Sequence, residues 1–239
     1  MLYEVKRQDM IESFTITGVH AQQEVSLDIR GVVLCGYTGR DQEAVKKHIE
    51  ELQQEGIEPP PSIPMYFPKP PGGIAQTAVI DVQGSETSGE IEYVLIADKG
   101  SLYVGLGSDH TDREMERLDI LKSKQVCPAP VSQEMWNYNE VKDHWDSIEI
   151  RSWVTKAGER MLYQESTLAT MLVPEDLIDL VGKRVNGTLD GMVILSGTPP
   201  VLKGEMVYAD RFEGELYDPV LKRKITIDYS IKAIDWFHD

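Results

Sequence analysis

The feature that most limits the fold of this chain is a long succession of short segments in which apolar and polar residues alternate, each ended by turn-forming residues. Alternation with a period of two puts one face of an extended segment in a core and the other in water. Residues 14–18 and 24–29 show it around a short turn, as a half-buried hairpin would. Val32-Val-Leu-Cys35 and Met192-Val-Ile-Leu195 are continuous apolar runs, the pattern of buried strands. Further strand segments are read at 78–82, 90–96, 101–105, 147–154, 159–164, 212–216 and 225–231. Helical spacing is confined to 41–55, where Ala44, Val45, Ile49 and Leu52 share a face and Gly56 is the stop signal, to a charged stretch at 112–121, and to 174–180, which opens on a proline. The proline-rich segment 58–73 excludes both regular helix and central strand, while Ile63, Met65, Tyr66 and Phe67 give it apolar surface to bury, so an ordered extended wrap is expected. The class is α+β and β-dominated, with residues 1–30 as an N-terminal hairpin extension and 31–239 as the main unit of one compact body.

Composition narrows the function. The chain has 239 residues and a formal charge of −16, from 24 Lys and Arg against 40 Asp and Glu. Phosphate-backbone binding requires clustered cations, so nucleic acid is not an expected partner. The excess is uneven: residues 81–150 hold 15 acids and 6 bases, a balance of −9. Most of such charge solvates a surface; a few converging carboxylates would hold a hard cation. Two cysteines, Cys35 and Cys127, in no C-x-x-C arrangement, argue against a disulfide framework or zinc cluster. The first residues lack an apolar leader core, and the apolar runs, such as Tyr93-Val-Leu-Ile-Ala97, are too short to cross a bilayer. A cytoplasmic protein without a membrane partner is expected.

Three stretches carry chemical potential. In Glu90-Ile-Glu92 the two carboxylates of an extended strand point the same way and repel unless solvent, a base or a cation neutralises them. Read alone, the pair is a solvated strand face before it is a metal site. Gly105-Leu-Gly-Ser-Asp-His-Thr-Asp-Arg-Glu114 runs from strand through glycines into a polar loop, where Asp109 is a metal ligand or a helix cap. His110 reads as structural, because no second histidine stands at ligand spacing. Leu189-Asp-Gly-Met-Val-Ile-Leu-Ser-Gly-Thr-Pro-Pro200 ends a buried strand in a turn that presents a hydroxyl and backbone amides. Lys122 and Lys124, taken alone, are a solvated helix end.

In this order the stretches resemble the fumarylacetoacetate hydrolase family, whose members carry an E-x-E pair, then an N-D-x-S-A-R-D-like stretch, a lysine before Cys-Pro, and a late G-D-x-I-x-T-G-T-P turn. The matching stretches are Glu90-Ile-Glu92, Ser108-Asp-His-Thr-Asp-Arg-Glu114, Leu121-Lys-Ser-Lys-Gln-Val-Cys-Pro128 and Asp190-Gly-Met-Val-Ile-Leu-Ser-Gly-Thr-Pro199. Gln164-Glu-Ser-Thr-Leu168 and the 173–178 segment are similar to the family's polar turn and short helix. The wording of the middle motifs is similar to a bacterial branch of unknown function. The resemblance implies a mixed β-sheet roll or barrel with a few short helices. It implies that Glu90, Glu92 and Asp109 bind a divalent cation, Mg²⁺ first, with Mn²⁺ or Ca²⁺ as alternatives. It implies Lys122 beside metal and substrate, with Lys124 as competitor, and Thr198 donating a hydrogen bond to a substrate carboxylate or carbonyl. A small keto acid is the implied substrate and a homodimer the implied assembly.

The chain departs from the family at two places. In Gly36-Tyr-Thr-Gly-Arg-Asp-Gln-Glu-Ala44 the position of the family's water-activating histidine is Gln42, which has no basic lone pair to offer. His48 lies six residues further on and off the same helix face, a poor substitute. Tyr37 and Arg40 of the same stretch are candidate substrate binders, Arg40 by its charge. Only 16 residues separate Glu92 from Asp109, which implies a trimmed connection and a more open site. The reaction expected is therefore a metal-assisted hydrolase or lyase step on a 2-oxo or 2,4-dioxo acid through an enolate. The alternative is a non-catalytic relative that keeps the fold and binds metal or a small molecule.

Overall fold

In the computed structural model, which describes residues 10–54 and 59–236, the opening alternation becomes a hairpin of β1 (Met10–Thr17) and β2 (Gln22–Ile29), antiparallel along its whole length. The apolar run after it is β3 (Gly31–Gly36), followed by α1 (Gln42–Gln54). Gly56, read as the stop of this helix, and the side chain of His48 lie outside the described residues. The proline-rich segment supplies β4 (Met65–Lys69), which pairs with β3 at the edge of a sheet, where a missing N–H costs least. Then come β5 (Val79–Val82) and the hairpin of β6 (Ile91–Asp98) and β7 (Ser101–Ser108). The rest of the chain contributes α2 (Arg113–Glu116), α3 (Ile120–Val126), β8 (Glu134–Asn137), β9 (Glu149–Lys156), β10 (Glu159–Thr167), α4 (Pro174–Gly182), β11 (Met192–Leu195), β12 (Arg211–Asp218) and β13 (Arg223–Ala233).

Two sheets hold these strands. An eight-stranded mixed sheet runs β2-β1-β8-β7-β6-β11-β3-β4, and a five-stranded sheet runs β10-β9-β12-β13-β5. The larger one curls into a half-barrel. Its parallel joints are β1 with β8 and β11 with β3, so the N-terminal hairpin continues the main sheet through β8. Strand β8 has no clear alternation in its sequence and is specified by these neighbours.

Both faces of the large sheet are packed. Tyr93, Leu95, Val104 and Leu106 point towards Phe212, Ile225 and Tyr229 of the second sheet, whereas Val94 and Ile96 point the other way, towards Leu34, Phe67, Val193 and Leu195. This explains why β3, β6 and β11 read as unbroken apolar runs: strands covered on both faces lose the alternation. The charged helix expected at 112–121 is two pieces. Asp112 accepts the Met115 N–H and caps α2, and Asp119 accepts the Lys122 N–H and starts α3 afresh. That restart sets which residues of α3 face inwards.

Lys69 is buried on β4, donating from Nζ to the Cys127 carbonyl at 2.6 Å. Burial lowers its pKa from 10.5 to about 8. Between those pH values the unfolded chain carries a proton there that the folded chain has released, so stability rises with pH across the window. Below pH 8 the buried ammonium costs its full amount. Chemical denaturation from pH 7 to 10.5 should therefore show wild type gaining up to about 3 kcal/mol relative to Lys69→Met. Parallel stability curves for the two proteins would refute this assignment.

Candidate active site

The site begins with a tight turn. Lys99 and Gly100, both at positive φ (46° and 82°), close the β6–β7 hairpin as a type I′ turn, whose twist matches that of the strands. In the resulting register Glu92 lies opposite Gly107, and the Asp109 N–H donates to the Glu90 carbonyl at 2.9 Å. Glu90 and Glu92, two residues apart, share the face that further along β6 carries Val94 and Ile96. The short spacing between Glu92 and Asp109 is thus a direct hairpin. It places the three carboxylates as neighbours on one end of the sheet.

Glycine at 107 is required by this closeness: a Cβ there would meet Val94 Cγ2 at 2.6 Å and the Pro130 carbonyl at 3.1 Å. Gly197, at φ 93° in the turn after β11, donates its N–H to Glu92 Oε2 at 2.9 Å, and a Cβ on it would overlap Thr38 Oγ1. The late Gly-Thr-Pro turn is therefore fastened to the E-x-E strand by a charge-assisted hydrogen bond. Gln164 fastens it again, donating to Thr198 Oγ1 and to the Pro199 carbonyl, both at 2.7 Å, while its Oε1 accepts the Ile91 N–H at 3.0 Å.

These parts line a cavity of about 820 Å³ that contains Tyr37, Glu90, Glu92, Asp109, Lys124 and Thr198. Lys124 is 4% exposed, and its Nζ lies 2.6 Å from Asp109 Oδ2, 2.9 Å from Thr111 Oγ1, 3.6 Å from Glu116 and 3.7 Å from Glu90. The carboxylates outweigh the burial cost and hold its pKa above the usual lysine value. Arg113 reinforces the cluster, with Nη2 at 3.2 Å from Glu90, Nη1 at 2.7 Å from Glu116 and Nε donating to Ser88. Glu92 is 2% exposed, and its pKa is raised, first by burial and then by the Asp109 charge.

The structure separates the sequence candidates. Of the two lysines it is Lys124 that enters the cavity. Lys122 is exposed and paired with Asp119 at 2.7 Å, because α3 restarts at Asp119 and turns that position outwards. Arg40 donates to Asp146 and to the Met171 and Leu168 carbonyls, which aims its guanidinium away from the three carboxylates. Gln42 donates to the Gly39 carbonyl at 2.6 Å and does not line the cavity. Thr198 lines it, yet its hydroxyl proton already goes to the Ile91 carbonyl at 2.9 Å, leaving the oxygen to offer a lone pair. His110 is fully buried between Thr87 and Tyr229, and burial pushes its pKa down to about 3, so it is a neutral core residue. Arg113 and Glu116 were not anticipated; their signal is an i, i+3 pair of opposite charge at a helix start.

Three carboxylates are the donor set a hard divalent cation selects. A buried Glu92 beside two like charges is an arrangement that such an ion relieves. Among the described residues, however, no three acidic, His or Cys side chains already close on one metal-sized point, and the Lys124 ammonium sits among them. The donors suit such an ion in chemistry and line one cavity, where Lys124 meets part of their negative charge.

Breaking a buried pair strands the remaining charge, whereas an exposed pair is worth little. Lys124→Met should cost about 3 kcal/mol in equilibrium denaturation, and Lys122→Ala far less. Equal losses would contradict the assignment of Lys124 as the inward lysine.

The family model described as a protein of unknown function, DUF2848, matches residues 35–229. No curated protein matches the chain. Among solved structures, a 2-keto-3-deoxy-D-arabinonate dehydratase complexed with magnesium and 2,5-dioxopentanoate is similar at TM-score 0.62 and 16% identity, over 86% of this chain and 73% of that one. The yeast protein ynq8, of the fumarylacetoacetate hydrolase family, gives TM-score 0.59 and 21% identity over 86% and 94%. A fumarylacetoacetate hydrolase family protein from Yersinia pestis CO92 gives TM-score 0.59 and 18% over 86% and 94%. The match over most of its length, on this half-barrel fold, makes the chain a member of the DUF2848 family.

Proposed function

We propose that the chain is a metal-assisted enzyme acting on a small 2-oxo or 2,4-dioxo acid, a hydrolase or lyase that works through an enolate. The observation that carries this reading is the convergence of Glu90, Glu92, Asp109 and Lys124 on the floor of one cavity, beneath the Gly-Thr-Pro turn. A bound divalent cation, Mg²⁺ first, would supply Lewis-acid polarisation of the substrate oxygens. Glu90, Glu92 and Asp109 would hold it.

Lys124 does the rest of the electrostatic work. Its ammonium carries donors on a side chain held by Asp109 and Thr111, preorganised to meet charge that develops on an enolate oxygen. Arg113 and Glu116 position it by fixing Glu90 and the far side of the ammonium. Thr198 offers a lone pair to a substrate hydroxyl or enol proton. Tyr37 at the wall, its pKa raised by burial, stays a neutral phenol that can donate. With Gln42 turned to Gly39 and no histidine lining the cavity among the described residues, these groups favour enolate chemistry over histidine-activated hydrolysis.

The same ammonium among carboxylates favours a second reading, a binding protein whose cluster is neutralised internally. Carrying over the family resemblance, the assembly is a homodimer; two buried free thiols suit a reducing compartment such as the cytoplasm.

Metal linkage separates the readings. Mg²⁺ or Mn²⁺ at about 100 times its Kd should add about 2.7 kcal/mol of stability in thermal unfolding, and the shift should vanish in Glu92→Ala. Members of a panel of acylpyruvates, followed by loss of enol absorbance, should be consumed by wild type and about 10²-fold more slowly by Lys124→Met. Metal binding without turnover of any oxo acid would favour the binding protein. No metal shift at all would remove the enzyme reading.

A further inference from the structure

Charge and polarity are divided within the cavity. The lining carries Glu90, Glu92, Asp109 and Lys124 with the buried Phe67 ring 5.9 Å from the Lys124 ammonium, and its more exposed part includes an apolar wall of Ala44, Val45, Ile120, Ala169 and Pro200. No charged group stands on that wall. At its rim Asp41 is a carboxylate, exposed and occupied in accepting the Glu43 and Ala44 N–H groups at the start of α1. Among the described residues Lys124 is the one cation lining the cavity, against four carboxylates, and it is spoken for by Asp109 at 2.6 Å. Arg40, the nearby guanidinium suggested by sequence, is held away by Asp146 and two carbonyls. A volume of about 820 Å³ leaves room beyond a three-carbon oxo acid.

We propose that the substrate is a monocarboxylic oxo acid with an uncharged, apolar tail, and that the wall bearing Ala44, Val45 and Ile120 selects against a second carboxylate at the tail end. The inference rests on the oxo-acid reading of the floor and goes on to specify the substrate class. An alkyl tail transfers from water onto apolar surface, with a gain for each methylene covered. A carboxylate in the same place is partly desolvated, with Lys124 already paired to Asp109 and the like charge of Asp41 in the same lining. Rejection therefore comes from an unpaired charge, a stronger discriminator than a difference in size.

The test is calorimetric binding to the Mg²⁺-loaded protein, with three probes that share an oxo-acid head or its mimic. Oxalate reports the head site. The pair 2-oxohexanoate and 2-oxoadipate share six carbons and differ by a methyl or a carboxylate at the far end. The expected result is that oxalate binds and that 2-oxohexanoate binds on the order of 10²-fold more tightly than 2-oxoadipate. Ala44→Lys, an exposed helix position that tolerates lysine, should narrow that ratio at least about tenfold by tightening 2-oxoadipate. Equal binding of the pair, or tighter binding of 2-oxoadipate, overturns the inference and leaves the floor reading standing. Binding of oxalate with neither six-carbon acid does the same. Failure of oxalate as well overturns the oxo-acid reading and this inference together.

Discussion

Placing Glu92 in the interior beside Glu90 and Asp109 sets an electrostatic problem, and much of the local architecture is the answer to it. A carboxylate taken out of water loses several kcal/mol of solvation unless hydrogen bonds or opposite charge replace it. Here one oxygen accepts the Gly197 N–H, which requires a glycine because the backbone turns at φ 93° against Thr38. The charge is balanced by Lys124, brought in on α3, and at one remove by Arg113 on α2. Each of these groups is in turn shared with Glu116. The cluster is therefore a network in which no single ion pair is separable from its neighbours, the condition under which buried charge fixes one arrangement.

Much of the frame was legible from the chain because it rests on local pattern. Period-two alternation located the hairpin of β1 and β2 and the closing strands β12 and β13, and proline at its first turn located α4. The E-x-E pair and Asp109 were recognisable as ordered motifs, and a hairpin register then makes them neighbours. What stayed hidden depends on contacts distant in sequence or on helix phase. Lys122 and Lys124 differ only in where the helix begins, and Asp119 as a cap decides that against a continuous helix from 112. Arg40 looked free to bind a substrate because Asp146, 106 positions away, cannot be seen from its own segment. Thr198 looked like a donor because Ile91 and Gln164, which engage its hydroxyl, lie on other strands. β8 is made a strand by its neighbours, β1 and β7, with little signal of its own.

The division of the cavity follows from which elements bear each part. The three carboxylates stand on β6 and at the adjoining ends of β6 and β7, central strands with apolar packing on both faces and a pairing register of eight residues, and α3 brings in Lys124. Groups that must meet developing charge within a fraction of an ångström need such support. The apolar wall comes from α1, the start of α3 and the loops near Ala169 and Pro200, elements outside the large sheet. Substitution on α1 would leave Glu92 in place, because its carboxylate is held by the Gly197 N–H and its backbone by the pairing of β6 with β7. A fold built this way would keep head-group chemistry fixed while tail specificity varies, and in this chain Ala44, Val45 and Ile120 carry no charge to pair with a second acid.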